Sequence, residues 1–369
     1  MNISFENVFI TVLNMSITGS YIIAAILLLR LILKKAPKIF SYSLWAIAGL
    51  RLLCPFSFSS IISIFNFISP PAAESSVTGT TANGYIPQDI GMMLIPEVNT
   101  GIPAADTVIN TVLPSAQPTA SINPMQILMT AACLIWVSGI IAMSVYGIVS
   151  VIKIRKQIKF ATKFKDNIFE CDAIRSPFVF GVIRPRIYLP CGMSENQLKY
   201  VLMHEKNHIR RFDHITRIIA FIILILHWFN PFVWIGYTLA IHDMEMSCDE
   251  NVLKKLGVEA KKAYSFTLVS VGADKKLSFG TPLSFGENGV EKRVKNILGF
   301  KKPKIIAVII CVVLCVVAAA VCLTNGISEK SKNDEAVMND MQSQIEARLE
   351  ETFSAEAYQY GTNDYMIYT

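Results

Sequence analysis

Only five histidines occur in the 369 residues, and two of them stand in the run His204-Glu205-Lys206-Asn207-His208. This is the H-E-x-x-H pattern. On a helix, the i, i+4 spacing puts both imidazoles on one face, where both can reach a single Zn²⁺ at about 2.0–2.1 Å. Glu205 is placed to serve the water rather than the metal. Zinc lowers the pKa of such a water to about 7, and a carboxylate then takes its proton and passes it to a leaving amine. The chemistry implied is metal-assisted hydrolysis of an amide bond. The bland alternative is a solvated helix face that happens to carry two histidines.

A third ligand is required. His214 is six residues beyond His208, and His227 lies in an apolar run, so neither extends the face. The acidic run Ile241–Glu250, IHDMEMSCDE, offers better candidates. Glu245-x-x-x-Asp249 is the favoured pattern. Glu245 binds the metal, and Asp249, one turn on, accepts a hydrogen bond from a ligand histidine and fixes its tautomer. His242 is the main rival as third ligand, and an ordinary acidic surface helix is the competing explanation. Arg210, Arg211 and Asp213 either orient the site or form a solvated interfacial patch. None of the eight cysteines shows C-x-x-C spacing, so cysteine-ligated zinc is not expected.

These residues need a helix and a scaffold. Ser194-x-x-Gln197 reads as a capping box opening the helix that carries both histidines. Before it, Ser176–Pro190 (SPFVFGVIRPRIYLP) reads as two short strands around Gly181 and Pro185. They either pack on the zinc helix or offer an edge to extended substrate.

The rest of the chain is apolar. Hydrophobic residues make up 52%, charged residues 17%, and the mean hydropathy is +0.44, which points to a membrane protein. The net charge of +6 does not point to direct nucleic-acid binding, because the basic residues flank apolar runs and no nucleic-acid motif is visible. A bilayer core needs about 20 apolar residues of helix. Val8–Leu33, Phe40–Phe67, Met125–Val151 and Ile305–Cys322 qualify. A fifth run, Ile215–Ile241, carries Arg217 and is interrupted by Asn230-Pro231. The start lacks a basic n-region, so the first run reads as a retained helix rather than a cleaved leader.

Lys and Arg set the orientation. Arg30, Lys34, Lys35 and Lys38 follow the first helix, no Lys or Arg lies between Arg51 and Lys153, and Lys301, Lys302 and Lys304 precede the last helix. The positive-inside rule then gives two transmembrane helices within 1–69 and an extracytoplasmic flexible loop over 70–124. A transmembrane helix at 125–153 leads to a cytoplasmic zinc metalloprotease domain at 154–300. A transmembrane helix at 301–325 and an extracytoplasmic tail at 326–369, with an amphipathic stretch near Glu335–Glu351, complete the chain. A single crossing by 215–241 would part Glu245 from His208 and put Lys254, Lys255 and Arg293 outside. The run is therefore expected to be a membrane-associated hairpin broken at Asn230-Pro231. Arg51, inside the second helix, reads as paired in the bundle or snorkelling, with a signal relay as the alternative.

The pieces SLWAIAGLRLLCP, SPFVFGVIRPRIYLP, HEKNHIRRFDH, HWFNPFVW and HDMEMSCDE, in this order between these helices, resemble the BlaR/MecR-type antirepressor metalloproteases. The resemblance covers roughly residues 10–325. It implies an α-helical multi-pass protein of the bacterial plasma membrane, N-terminus outside, with a cytoplasmic α+β gluzincin-like zinc protease domain. It implies His204, His208 and Glu245 as ligands, Glu205 as catalytic base and Asp249 in support. It also implies a cytoplasmic protein substrate, often a winged-helix repressor, and in some members self-cleavage before the last helix. Ser278–Lys295 reads as an extended, accessible link, either a simple tether or the place of such a cut. The sensors of that family carry a penicillin-binding domain with an S-x-x-K motif after the last helix; residues 326–369 contain no such motif. A processing or quality-control protease of membrane proteins and a non-catalytic zinc-binding receptor scaffold are the alternative functions. Membrane lipid is an expected partner, and the oligomeric state, a homo-oligomer included, is left open.

Overall fold

The computed structural model describes residues 5–54, 85–115 apart from 94 and 101, 123–273 and 290–324. Two long apolar helices open it: α1 (Phe5–Ile32), then α2 (Lys38–Leu53), reached through a 3-10 turn at Leu33–Lys35. Helix α3 (Pro103–Val112) precedes α4 (Pro124–Gln157). Pro124 opens α4 at a position where its missing N–H costs nothing, and the Asn123 side chain accepts from the Met125 N–H. The strands β1 (Thr162–Lys165), β2 (Ile168–Glu170), β3 (Phe178–Phe180) and β4 (Arg186–Leu189) follow. The remaining helices are α5 (Glu195–Arg210), α6 (Asp213–Leu226), α7 (Pro231–Leu256), α8 (Lys261–Ala273), α9 (Val290–Gly299) and α10 (Ile305–Leu323).

Among the described residues, three helical segments are long and apolar enough to cross a membrane: Phe5–Lys35, Pro124–Gln157 and Ile305–Leu323. Of the run Phe40–Phe67, the part beyond Cys54 lies outside the described residues, as do Glu335–Glu351 and the whole tail from 325.

The four strands form one sheet in the order β1-β2-β4-β3. β2 and β4 run parallel with Ile168 opposite Ile187, while β3 returns antiparallel on β4 with Phe178 opposite Tyr188. The β3–β4 turn depends on Gly181, whose φ is +115° and whose missing Cβ would stand 2.7 Å from the Arg184 carbonyl oxygen. Beneath the sheet lies α5. Ile168, Ile187, Leu189 and Val201 pack into one buried cluster. That burial anchors α5 at about 1.5–3 kcal/mol per large side chain.

The expected break of the fifth apolar run is present. Asn230 caps α7 by accepting from the Phe232 N–H at 2.9 Å, and Pro231 is the first helical residue. α6 and α7 are therefore two helices joined by a short turn.

Two expectations need correction. The stretch 70–124, read as a flexible loop, is organised over the described part of 85–115. Asn110 bonds both the N–H and the carbonyl of Val98, Asp106 accepts from the Thr100 N–H, and Asn14 of α1 exchanges two bonds with Ile86. Side-chain capping of this kind is invisible to composition. The link Ser278–Lys295 was expected to be extended throughout, yet α9 begins at Val290. Ile297 and Phe300 bury themselves against Val252, Leu253 and Tyr264, and this packing makes the stretch helical. Residues 278–289 lie outside the described residues.

Candidate metal centre

Helix α5 turns Val201, His204, Glu205 and His208 to one buried stripe, an i, i+3, i+4, i+7 pattern. The capping box that starts the helix is formed. Ser194 Oγ accepts from the Gln197 N–H, and the Gln197 side chain accepts from the Ser194 N–H. α7 lies across this stripe. Asn207 joins the two helices, donating to Cys248 Sγ at 3.1 Å and accepting from Asn251 at 3.0 Å.

Each imidazole is held by its Nδ1. His208 Nδ1 stands 2.7 Å from Asp213 Oδ2. Asp213 reaches back because the chain reverses at Phe212, a non-glycine residue at φ +57°. His204 Nδ1 faces Tyr264 Oη at 2.9 Å and Asp249 Oδ1 at 3.3 Å. The Tyr264 hydroxyl donates to Asp249 at 2.7 Å, so its oxygen is left to accept from His204. A carboxylate and an already donating hydroxyl can only accept, which puts the proton on Nδ1 of both rings. Both Nε2 lone pairs are then free.

Those lone pairs converge. His204 Nε2 and His208 Nε2 are 3.1 Å apart, and Glu245 brings Oε2 to 3.4 Å from the first and Oε1 to 3.5 Å from the second. Ligands of a tetrahedral ion with bonds of about 2.0–2.1 Å stand roughly 3.3 Å from one another. Three acceptors this close need positive charge beside them, which Arg217 and Arg293 supply in this structure, and their spacing fits zinc. Cys248 is a second candidate for the third position, because its Sγ lies with the two histidine ligand atoms in a group spanning at most 4.8 Å.

Glu205, next to His204, is buried and has no hydrogen-bond or ion-pair partner among the described residues. Glu245, by contrast, is surrounded by cations. Arg217 of α6 pairs with its Oε1, and Arg293 Nη1 lies 3.1 Å from its Oε2. Arg293, on α9, also places Nη2 3.3 Å from His204 Nε2.

The charges follow this geometry. Burial pushes the Glu245 carboxyl up, but Arg293 and then His208 outweigh it and hold the group well below the usual carboxylate range. Asp249 is likewise held down, against burial, by Arg293 and His204. Burial disfavours charge on His204, yet Cys248, Tyr264 and Asp249 raise its pKa well above the ordinary value. For His208 the same burial is overcome by Cys248, Glu245 and Asp213. The Cys248 thiol, although buried, is lowered to about 6 by the two histidines.

The structure thus brings together His204, His208, Glu245 and Asp249, with Glu205 beside them. His242, the rival ligand, has no contact with either histidine among the described interactions; its pKa is lowered by burial. Asp213, left open between orienting the site and a solvated patch, is buried against His208, whereas Tyr264 and Arg293 were not identified from the sequence and Cys248 had been set aside. The spacing Glu245-x-x-Cys248 on one helix is the one local pattern that could have suggested the cysteine.

A family profile described as BlaR1 peptidase M56 matches residues 10–297. The chain is similar to Regulatory protein BlaR1 of Bacillus licheniformis, 33% identical over 135 residues, which are 35% of this chain and 22% of that protein. It is similar to the methicillin resistance mecR1 protein of Staphylococcus aureus, 29% identical over 133 residues, 34% of this chain and 23% of the relative. With Regulatory protein BlaR1 of Staphylococcus aureus it shares 28% identity over 147 residues, 38% of this chain and 25% of the relative. The chain therefore spans a quarter or less of the length of these curated relatives.

Proposed function

The chain belongs to the BlaR1 peptidase M56 family, and from that premise we propose that it is a membrane-embedded zinc endopeptidase acting in transmembrane signalling. Its substrate in this reading is a cytoplasmic protein, a winged-helix repressor being the class that the resemblance to the antirepressor metalloproteases implies. The observation that carries it is the convergence of His204 Nε2, His208 Nε2 and Glu245, with both Nδ1 atoms tied away from the centre.

His204, His208 and Glu245 would hold the ion, with Asp249 behind His204. A zinc ion held there would supply Lewis-acid polarisation of a scissile carbonyl and would lower the pKa of water to about 7. Glu205 is the general base: its carboxylate takes a proton from water and returns it to the leaving amine nitrogen. Asp213 and the Asp249–Tyr264 pair keep both rings in the ligating tautomer.

The topology belongs to the same proposal. The N-terminus, 70–124 and 326–369 lie outside, 154–300 lies inside, and α6–α7 enter and leave the same face of the membrane. The contact of Glu245 with His208 across α6 and α7 supports this, since both ends of the pair must then share one side. Self-cleavage is placed before α9, where it would part the zinc domain from the last helix.

The test is comparison of new cytoplasmic N-termini in cells expressing wild type or Glu205→Gln. A protein cut in wild type alone supports the reading, and cleavage of a membrane protein instead would favour the processing role. Identical N-termini in both strains, with zinc retained, would leave a zinc-binding scaffold.

A further inference from the structure

Asp213 has two oxygens and two duties. Oδ2 holds His208 Nδ1 at 2.7 Å, and Oδ1 accepts from the Tyr42 hydroxyl at 3.2 Å. Tyr42 belongs to α2, an apolar helix 171 residues away in sequence. Among the described residues, Oδ1 also has a longer polar contact, from Arg211 Nε at 3.6 Å. Arg211 itself is positioned by Tyr42, with its guanidinium carbon 5.0 Å from the ring centroid, in cation–π range. A carboxylate bonded at one oxygen swivels; one bonded at both does not. Asp213 is 1% exposed, so no solvent replaces a lost partner.

Helix α2 grips the site a second time, now together with α1. Arg30 of α1 forks onto Asp243 at 2.7 Å and 2.7 Å, and Trp45 Nε1 of α2 donates to Asp243 Oδ2 at 2.8 Å. Asp243 is fully buried and lies two residues before Glu245 on α7. The approach that permits this is made at Gly236, where a Cβ would meet Trp45 at 3.3 Å. The Lys38 N–H at the start of α2 adds a bond of 2.9 Å to Glu250.

We propose that Tyr42 is a positioning residue for the metal centre, fixing His208 through the shared Asp213, so that the seating of α2 sets how well the site holds its ion. This inference rests on the metal reading above. Tyr42 touches neither the ligand atoms nor substrate. Its hydroxyl restrains the carboxylate that restrains the ring, as outer partners do in metal sites. Because α2 also packs on α10, with Ser43 Oγ 4.0 Å from Cys315 Sγ, displacement of the last helix reaches His208 by way of α2 and Tyr42.

The test uses the full chain in detergent or nanodiscs, with zinc affinity read by chelator competition and ligand geometry by the visible spectrum of the cobalt(II)-substituted protein. Tyr42→Phe keeps the ring and removes only the hydroxyl. It is expected to weaken zinc binding about tenfold, the low end for an outer partner, and to shift the cobalt bands. Leu50→Ala, an exposed change on the same helix, is expected to do neither. In an Asp213→Asn background, Tyr42→Phe is expected to have no further effect. Wild-type affinity and spectrum in Tyr42→Phe, while Asp213→Asn weakens binding, would overturn the inference and leave the metal reading standing. Additive losses in the double variant would also overturn it, by assigning the effect to general loosening of the fold. If His208→Ala binds zinc as wild type does, the metal reading itself fails, and this inference with it.

Discussion

Arg293 meets Asp249 edge to edge, with Nε 2.8 Å from Oδ2 and Nη2 2.8 Å from Oδ1, although 44 residues separate them. Asp249 is fully buried and Arg293 nearly so. The pair joins α9 to α7 at the back of the site, and Arg293 extends to Glu245 as well. The buried carboxylates behind and within the metal centre thus share one guanidinium, carried by the helix that precedes α10.

Arg293→Ala would leave Asp249 and Glu245 buried without this cation. Loss of one partner of a buried ion pair costs about 3–5 kcal/mol, so a large drop in unfolding midpoint is expected in the absence of metal. Zinc, itself a cation among the same carboxylates, is expected to restore much of it. Thermal unfolding of wild type and variant, with zinc and with chelator, checks both parts; a zinc-independent deficit would mean that Arg293 only packs α9.

The partners of Nδ1 give a second expectation. Asp249→Asn removes the negative charge that orders Tyr264 and His204 and sets an NH2 donor in place of one carboxylate oxygen facing Arg293. Zinc affinity should fall about 10–100-fold, measured by chelator competition. Tyr264→Phe should fall in the same direction by less, because Asp249 still lies 3.3 Å from the ring nitrogen. No change in either variant would remove the orienting role given to this pair.

Zinc binding should release protons. With only the protein's own charges present, His204 and His208 are held well above the ordinary histidine pKa. A second proton, taken up at Nε2, would occupy the lone pair that the ion needs, so protons and zinc compete for the same atoms. The bound state holds fewer protons than the free state, so affinity rises with pH and falls as pH drops. Calorimetry in buffers of different ionisation enthalpy reads the released protons directly. A pH-independent affinity would contradict the assignment of both rings as ligands.

Much of this site was legible from short patterns. His204 and His208 share a face by i, i+4 spacing, the Ser194–Gln197 box marks the helix start, and Asn230-Pro231 marks the start of α7; each is a local rule. Cys248, Tyr264 and Arg293 were not legible, because their contacts with His204 span 44, 60 and 89 residues, and no periodicity encodes a contact across helices. Arg293 was read only as one more cytoplasmic basic residue. β1 went unseen for another reason: all four of its residues are exposed, so it carries no alternation of apolar and polar positions. The organised part of 85–115 escaped because its order comes from Asn110 and Asp106 bonding backbone, which composition does not record.

Self-cleavage, where it occurs, should fall before α9. Ile297 and Phe300 are buried, and Arg293 is paired within the fold, so Val290–Gly299 is protected. A C-terminal tag followed by N-terminal sequencing of the tagged fragment locates the cut. The expected fragment begins within 274–289 in wild type and is absent from Glu205→Ala. A start inside 291–299, or the same fragment in both proteins, would contradict self-cleavage as placed here.

The ligand set itself is most directly tested by zinc-edge X-ray absorption on the purified full chain. The expected spectrum has only nitrogen and oxygen neighbours at about 2.0–2.1 Å with the outer scattering of two imidazoles, and Glu245→Ala loses the ion while Cys248→Ser keeps both the ion and the spectrum. A sulfur neighbour at about 2.3 Å, abolished by Cys248→Ser and untouched by Glu245→Ala, would contradict it and give the third position to the cysteine.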